Sequence, residues 1–583
     1  MTEASLLAEF QGVDTSEWER IIREDLKGAD YARSLMWLPE AGLAIKPYYR
    51  AEDLDGVAHL DAAPGESPGT REMKDTGVWR ICEGVDVADP VEANRIACEA
   101  ISQGAQEIAF SNLTVANASS LVSAIANLDG IPVCFENADR QLIRLLMDGL
   151  HQKPRAAQFS TGFDPLRNLD FAAEVLADRP AGFVPFSIRA AKFHEHGAGS
   201  AEEIGLALAA GVDFLAAMED HGLAIDQAAD SLTFSFAIGP EFFLQIAKLR
   251  AFRLVWAQAV HSFGGPPAMS AARIQARTAG WNQTIYDRHV NILRAGTEAM
   301  SAVLGGADSI QIAGFDACCG SAGEMSRRLA RNTQLILKHE ADLARVADPG
   351  AGSYCLEVLT DAIAHQSWQM LQRIESEGGY RNAIATGVVD SLLTQRGDQR
   401  ARGVACRKRV LTGTNHFADP FESALSRIED AAQIKTGRAA EPFERLRMRT
   451  ERHAARIGRK PRILLAESGE DRKLQGARSN FAADFLACAG LESRIVRVQH
   501  AEDIADHDAD LVVLCSADAE YLSIVSALFG QPKTNHRTAP VVVAGLPETA
   551  SELRALGVAD FIHVRCNAVE TLANIQRLAG IKD

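Results

Sequence analysis

Three short segments of this chain hold polar side chains whose types and spacing could do chemistry. They are Asp471-Arg472-Lys473-Leu474-Gln475-Gly476, Arg80-Ile81-Cys82-Glu83-Gly84 and Ala191-Lys192-Phe193-His194-Glu195-His196-Gly197. The first segment follows a strand-like apolar run at 462–466 and precedes a helical pattern that starts near Ala477. A metal ligand needs a lone pair, and a lysine ammonium has three donors and none at its ordinary pKa. Lys473 is therefore not predicted to bind a metal ion.

The other reactive groups are thiols and an imidazole. Cys82 is predicted to be a small buried side chain. The adjacent Cys318 and Cys319 are predicted to pack in the core or in a loop rather than to do redox chemistry, because adjacent cysteines rarely bridge. The ten cysteines show no paired C-x-x-C spacing, so we expect free thiols in a reducing cytoplasm.

The elements that must position these groups follow an alternating strand–helix pattern over residues 81–430. We predict strands at Glu107–Phe110, Val133–Phe135, Ala157–Ser160, Val184–Ile188, Asp213–Leu215, Leu232–Phe236 and Ser309–Ile312, with helical runs such as 93–103, 201–210 and 240–260 between them. Repeated units of this kind predict a closed (β/α)₈ barrel, and a doubly wound open sheet is the alternative. Whether Phe186, Phe234 and Phe236 plug the barrel or face the helices stays open at this stage.

A second, smaller α/β pattern covers 461–583. Its strands are predicted at 463–466, 511–515, 541–544 and 561–564, which is typical of a doubly wound, flavodoxin-like domain. Ligands bind such domains at the carboxyl ends of the strands, where Asp471–Gly476 falls. Residues 431–460 are predicted to be a solvated linker helix. Residues 1–80 are predicted to be an arm, with a helix from Ser16 to Leu26, that wraps over a partner or over the barrel.

Size and charge exclude several classes of function. The chain has 583 residues, too many for one hydrophobic core, and a net charge of −17 argues against general binding to nucleic acid or anionic membranes. No apolar run approaches the roughly 20 residues that span a bilayer, and the N-terminus does not resemble a signal peptide. We expect a cytoplasmic protein.

The order of several motifs resembles the methylmalonyl-CoA mutase family over nearly the whole chain. The matching segments are Trp18 through Gly28, Lys46-Pro47-Tyr48-Tyr49, Phe242 through Arg250, Asn291-Ile292-Leu293-Arg294, Arg331-Asn332-Thr333-Gln334 and Asp348 through Tyr354. The resemblance implies a barrel that holds an acyl-CoA and a C-terminal domain that holds adenosylcobalamin. It also implies a radical rearrangement between methylmalonyl-CoA and succinyl-CoA. The family has heterodimeric members, in which a large chain is catalytic and a homologous small chain is not.

Position by position, this chain departs from the catalytic pattern in the barrel. Cys82 stands where the family has a tyrosine over the reacting carbons, and a thiol readily donates hydrogen to carbon radicals. Glu83 would add a carboxylate near a site for an anionic acyl-CoA. His194 or Lys192 matches the expected substrate-binding histidine, so His194 is at most a relic, with surface hydrogen bonding as the alternative.

The C-terminal domain departs too. Lys473 replaces the cobalt-ligating histidine of the family's D-x-H-x-x-G signature, the Ser-x-Leu element is Cys515-Ser516-Ala517, and the double glycine is Ala544-Gly545. Asp471, Lys473, Gly476, Ser516 and Gly545 thus form a degenerate cobalamin site.

These departures suggest a non-catalytic small subunit that forms a heterodimer with a homologous large subunit. Acyl-CoA and adenosylcobalamin would then bind to the partner, and this chain would hold neither a metal nor a cofactor. The alternatives are an active acyl-CoA mutase with divergent cobalamin binding and a binding module that senses acyl-CoA or cobalamin.

Overall fold

The structure is a computed structural model of the chain. It describes residues 13–40, 42–62, 69, 78–113, 128, 130–152, 158–265, 272–320, 322–424, 434–500, 503–504, 507–529 and 539–582. Ala157, the first residue of one predicted strand, lies outside these ranges.

The N-terminal segment consists of two helices and a hairpin. They are α1 (Thr15–Asp25), α2 (Tyr31–Leu35), β1 (Trp37–Glu40) and β2 (Leu43–Ile45), with the two strands antiparallel. The Asp14 carboxylate caps α1 by accepting a hydrogen bond of 2.8 Å from the Glu17 backbone N–H. Among the described residues α1 buries no side chain, so Trp18 and Ile21 on its apolar face remain exposed.

Eight strands form the centre of the protein. They are β3 (Arg80–Val85), β4 (Glu107–Phe110), β5 (Val133–Phe135), β6 (Phe159–Phe163), β7 (Phe183–Ile188), β8 (Leu232–Ile238), β9 (Ile274–Thr278) and β10 (Ser309–Gln311). All are parallel, and β10 pairs with both β3 and β9, which closes the ring. The predicted (β/α)₈ barrel is confirmed, and the open-sheet alternative is wrong.

Helices surround this barrel on its outside and over its ends. They are α3 (Pro90–Ser102), α4 (Arg140–Gln152), α5 (Leu169–Ala177), α6 (Ala191–Glu195), α7 (Ser200–Asp220), α8 (Ile225–Asp230), α9 (Phe242–Ser262), α10 (Val290–Leu304), α11 (Glu324–His339), α12 (Tyr354–Ser376), α13 (Tyr380–Ala385) and α14 (Val388–Ala405).

The large aromatic side chains of the strands face these helices. The Phe234 and Phe236 rings lie 4.6 and 4.7 Å from the Phe252 ring of α9, centroid to centroid. The Phe186 ring lies 5.6 Å from that of Phe214 in α7. Because successive side chains of a strand point to opposite sides, their neighbours must face the barrel axis. The three phenylalanines therefore fill the layer between strands and helices and do not plug the barrel.

One strand prediction for the barrel is wrong, and two barrel strands were not predicted. Asp213–Leu215 is not a strand but part of α7, whose helical apolar pattern runs on without a break. Strands β3 and β9 were not predicted, because each has few strongly apolar side chains and includes charged ones such as Glu83 and Arg277. An apolar run as short as Phe214-Leu215 cannot by itself distinguish a strand from a buried helix.

The C-terminal part forms a five-stranded parallel sheet. Its strands are β11 (Ile463–Glu467), β12 (Ser493–Arg497), β13 (Leu511–Cys515), β14 (Val541–Ala544) and β15 (Asp560–Ile562), in the order β12-β11-β13-β14-β15. The associated helices are α15 (Glu441–Ile457), α16 (Arg472–Ala487), α17 (Tyr521–Phe529), α18 (Ala550–Leu556) and α19 (Ala568–Leu578). This is the predicted doubly wound arrangement.

Helix α15 is only partly solvated, contrary to the prediction for 431–460. It buries Phe443 and Leu446 in the core of the C-terminal sheet. Its buried Glu444 carboxylate accepts a hydrogen bond of 2.6 Å from Arg438, and its buried Arg447 guanidinium lies 4.0 Å from the Tyr286 ring. Two of the charges that suggested a solvated helix, Glu444 and Arg447, are therefore buried and contact other parts of the chain.

Among the described residues, no helix combines the length and the apolar character needed to cross a membrane. The ten cysteines are all free thiols.

Candidate functional site

The barrel axis is surrounded by small and polar side chains. The strand residues that line it include Cys134, Ser160, Gly162, Ser187, Thr233, Ser235, Gln275, Arg277 and Ser309. They alternate along each strand with the apolar side chains that face the helices. A lining of this kind leaves space along the axis unless a longer side chain crosses it.

One ion pair does cross it. The Arg277 guanidinium near the end of β9 binds the carboxylate of Glu136, which follows β5. Because β5 and β9 are four strands apart in either direction around the ring, this pair spans the barrel along a diameter. Arg277 Nε also donates a hydrogen bond of 2.7 Å to the side-chain oxygen of Gln311 on β10. These three side chains, which we call the axial bridge, lie at the carboxyl ends of the strands.

Sequence reasoning missed the axial bridge. Neither Arg277 nor Glu136 was predicted to be a site residue. A period-two alternation of polar and apolar residues in 274–278 was the signal that could have marked Arg277 as facing the axis. The pairing itself depends on which strands lie opposite each other in the closed ring.

Cys82 faces the inside of the barrel. It forms a small apolar patch with Ala109 of β4 and Cys134 of β5, the next two strands of the ring. Burial raises the pKa of both thiols, that of Cys134 to about 11, so both are neutral at pH 7.

Glu83 points away from the axis, contrary to the expectation that it would lie near an acyl-CoA site. Its carboxylate binds the Arg331 guanidinium of α11, with Arg327 Nε 3.8 Å away. The alternation of strand β3 explains this, since Cys82 and Glu83 are adjacent and must face opposite sides.

His194 lies in α6, buried beside β8 and apart from the residues that line the axis. Its Nδ1 is 3.8 Å from a carboxylate oxygen of Glu203, and its Nε2 has no hydrogen-bond partner among the described residues. Burial, together with the charges of Arg400 and Lys248, lowers its pKa well below the ordinary value, so the imidazole is neutral. The surface hydrogen bonding considered for this residue is wrong, because the side chain is buried.

At the second site, Asp471–Gly476 is not a loop. Helix α16 begins at Arg472, and Asp471 caps it by accepting a hydrogen bond of 3.0 Å from the Leu474 backbone N–H. The prediction that this helix starts near Ala477 is therefore wrong. Lys473 is exposed in the first turn, and Gly476 lies inside the helix with open space where a Cβ would be.

Two side chains of the domain fill the cleft at the carboxyl ends of β13 and β14. Tyr521 OH donates a hydrogen bond of 2.6 Å to the Ala544 carbonyl oxygen and accepts one of 3.0 Å from the Ser516 backbone N–H. Arg478 donates to the same carbonyl at 2.9 Å and to the Asp518 carboxylate at 2.7 Å. We call Arg478 and Tyr521 the cleft pair.

The remaining predicted residues of this site border the cleft pair. The Ser516 hydroxyl donates a hydrogen bond of 2.6 Å to the Glu520 carboxylate. Gly545 has a φ of +144°, and a Cβ at this position would lie 2.4 Å from an Arg478 nitrogen. Within the described ranges, no group of three or more His, Cys, Asp or Glu side chains is placed to hold a metal ion.

Comparison with known proteins gives a consistent pattern. A family model described as methylmalonyl-CoA mutase matches residues 166–460. A protein named methylmalonyl-CoA mutase small subunit from Porphyromonas gingivalis is 31% identical, covering 99% of this chain and 99% of its own length. A protein of the same name from Streptomyces virginiae is 30% identical, covering 99% of this chain and 98% of its own length. A Rhizobium meliloti protein named methylmalonyl-CoA mutase is 28% identical over 74% of this chain and 68% of its own.

Proposed function

This chain belongs to the methylmalonyl-CoA mutase family, and from this premise we propose that it is the non-catalytic small subunit of a heterodimeric, adenosylcobalamin-dependent mutase. A homologous large subunit binds the acyl-CoA and the cofactor and interconverts methylmalonyl-CoA and succinyl-CoA. The present chain packs against that subunit and stabilises it. Relatives named small subunit that match nearly the whole chain support this assignment. The free thiols support a reducing compartment such as the cytoplasm.

The observation that carries the proposal is the axial bridge. An acyl-CoA that threads through the barrel must pass between Arg277 and Glu136. Separating the two would break an ion pair between partly buried groups, which is unfavourable. The small side chains around the axis therefore do not by themselves provide an open channel.

The C-terminal domain does not fit adenosylcobalamin. Lys473, which stands at the position of the cobalt-ligating histidine, is an exposed side chain in the first turn of α16. The helix begins at Arg472, inside the 471–476 signature rather than after it. The cleft pair occupies the carboxyl ends of β13 and β14 with hydrogen bonds to the domain's own backbone. A cofactor there would have to displace both side chains and leave the Ala544 carbonyl without its donors.

Exposed apolar side chains of the N-terminal segment support docking to a partner. Exposed fractions are 46% for Trp18, 49% for Trp37 and 70% for Leu38. Burying such side chains against a partner is favourable, because it removes apolar surface from water. We expect the interface with the large subunit to be of the obligate class, above roughly 2,000 Å².

A reconstitution assay tests the proposal. The full-length chain, the large subunit and their mixture are each supplied with adenosylcobalamin and methylmalonyl-CoA, and turnover is measured. We expect turnover to require the large subunit, and Cys82→Ala in this chain to leave the turnover of the complex unchanged. Turnover by this chain alone, or a loss of turnover in the Cys82→Ala complex with the interface intact, would show that its barrel is catalytic.

A further inference from the structure

Cys318 and Cys319 lie at the junction between the barrel and the linker to the C-terminal sheet. They belong to a short 3₁₀ turn, Ala317–Cys319, in the loop after β10. Cys318 packs against Ile285, Tyr286 and Ala424. Its carbonyl oxygen accepts a hydrogen bond of 3.0 Å from the Lys435 backbone N–H, which anchors the linker that leads to α15.

The two thiols are close together but differ in exposure. The Sγ atoms are 3.8 Å apart, and Cys318 Sγ also lies 3.4 Å from the Thr284 carbonyl oxygen. Cys318 is fully buried, whereas Cys319 is partly exposed. An oxidant from solvent therefore reaches Cys319 first, with Cys318 behind it.

The surroundings favour the thiolate of Cys319. Its contact with the Cys318 thiol, assisted by the charge of Arg438 and opposed by burial, lowers the pKa of Cys319 to about 7. The same contact, together with burial, raises the pKa of Cys318. The exposed member is thus the nucleophile, and the buried member keeps its proton.

We propose that Cys318 and Cys319 are a redox-active vicinal pair that hydroperoxides convert to a reversible disulfide. The Cys319 thiolate attacks a peroxide oxygen, the O–O bond breaks, and the leaving hydroxide or alkoxide takes up a proton. Cys318 sulfur then attacks the sulfenic sulfur of Cys319, the S–O bond breaks, and water leaves with the Cys318 proton. In total the two thiols lose two electrons, which the hydroperoxide gains. One of its oxygen atoms leaves in the first step as water or an alcohol, and the other leaves in the second step as water.

Geometry makes this disulfide easy to reduce. Adjacent Cα atoms are about 3.8 Å apart across a trans peptide, below the usual separation of about 4.4–6.8 Å in disulfides. The bridge is therefore strained, and strained disulfides are the labile and regulatory ones. Closing the ring twists the 318–319 peptide and weakens the hydrogen bond from Lys435 to Cys318.

The test is peptide mass mapping of the full-length chain after treatment with hydrogen peroxide, without reduction. We expect the peptide that holds Cys318 and Cys319 to lose the mass of two hydrogen atoms, and dithiothreitol to restore it. The Lys435 amide should exchange hydrogen faster in the oxidised protein. Cys566→Ser, which removes a partly exposed thiol elsewhere, should leave the result unchanged.

The Cys318→Ser variant distinguishes a redox-active pair from a single exposed thiol that is oxidised on its own. In this variant the Cys319 sulfenic acid has no partner, and dimedone should trap it. If wild-type Cys319 stays reduced, or is oxidised to the sulfinic acid while Cys318 remains a free thiol, the proposal is overturned. The wild-type mapping decides this even if the variant does not fold.

Discussion

Glu298 in α10 is a buried carboxyl group that receives one hydrogen bond of 2.6 Å, from the Asn282 side-chain amide. Burial raises its pKa to about 8, although Asn282 and the charge of Arg294 oppose the shift. The group is therefore mainly neutral at pH 7. Between pH 4.5, the ordinary pKa, and a pH of about 8, Glu298 is protonated in the folded chain and ionised in the unfolded chain. The free energy of unfolding therefore falls as pH rises through this range.

Glu298→Gln removes this titration and keeps the hydrogen-bond acceptor. We expect the variant to be more stable than the wild type at pH 8 by about 1–3 kcal/mol, with no difference near pH 4.5. Urea denaturation at the two pH values measures this, and Glu548→Gln at an exposed position is the control. A variant that is less stable at both pH values would contradict the neutral state of Glu298.

At the scale of elements, replacing either of two glycines near the degenerate cobalamin site by alanine should have opposite effects on stability. Gly476 lies inside α16 with no atom within 4 Å of a Cβ, so Gly476→Ala should stabilise the chain by about 0.5–1 kcal/mol. Gly545→Ala would strain a backbone at φ +144° and meet Arg478, and should cost about 1–3 kcal/mol. Thermal or urea unfolding of the two variants and the wild type measures both changes in stability. Destabilisation by Gly476→Ala would show that 471–476 is a loop.

Lys473→His restores the family's ligand type without restoring its surroundings. We expect the variant to bind no adenosylcobalamin, because the position lies in a helix and the cleft pair fills the domain. Absorbance titration with adenosylcobalamin measures this, with the wild type as control. A spectrum with imidazole coordinated to cobalt would mean that Lys473 alone abolished binding.

The sequence predicts strands well where an apolar run has clear ends. Residues 107–110 and 133–135 are strands with the bounds predicted. The prediction fails where the flanking sequence determines the structure. Asp213–Leu215, for example, is part of the longer helix α7. The side chain at the ligand position could be predicted from residue type. The helical start at Arg472 was missed, although an aspartate before a helical pattern is a known N-cap signal, because the resemblance to the cobalamin-binding signature suggested that the helix starts after Gly476. Arg277 and Glu136 are 141 residues apart, and only the closure of the ring brings them together.

At the scale of the whole molecule, a buried cluster ties the N-terminal segment to the barrel. His59 Nε2 lies 2.7 Å from a carboxylate oxygen of Glu357 in α12, and Arg250 binds the same carboxylate at 2.7 Å. Burial would raise the pKa of Glu357, but His59 and Arg250 lower it to about 2. Its contribution to stability is therefore complete above its ordinary value of 4.5 and is lost as pH falls towards 2.

Glu357→Gln should lower the free energy of unfolding at pH 7 by about 2–4 kcal/mol, and the difference should vanish towards pH 2. It should also make residues 42–62 more sensitive to limited proteolysis. Glu377→Gln, at the exposed end of the same helix, is the control. Equal proteolysis of the two variants would show that the cluster does not hold the segment.

The axial bridge and the cleft pair show that the chain's own side chains occupy the barrel axis and the cleft of the C-terminal sheet, which supports our proposal that it acts by assembling with a partner. Its barrel and C-terminal sheet retain their cores, while the groups that would receive a substrate or a cofactor bind other parts of the chain. We infer that both ligands of the heterodimer belong to the large subunit.

The most direct test of this inference is the cobalamin content of the purified heterodimer, measured by absorbance against protein concentration, with the isolated chain measured in parallel. The account predicts one adenosylcobalamin per heterodimer and none on the isolated chain. Two per heterodimer, or stoichiometric cobalamin on this chain alone, would contradict it.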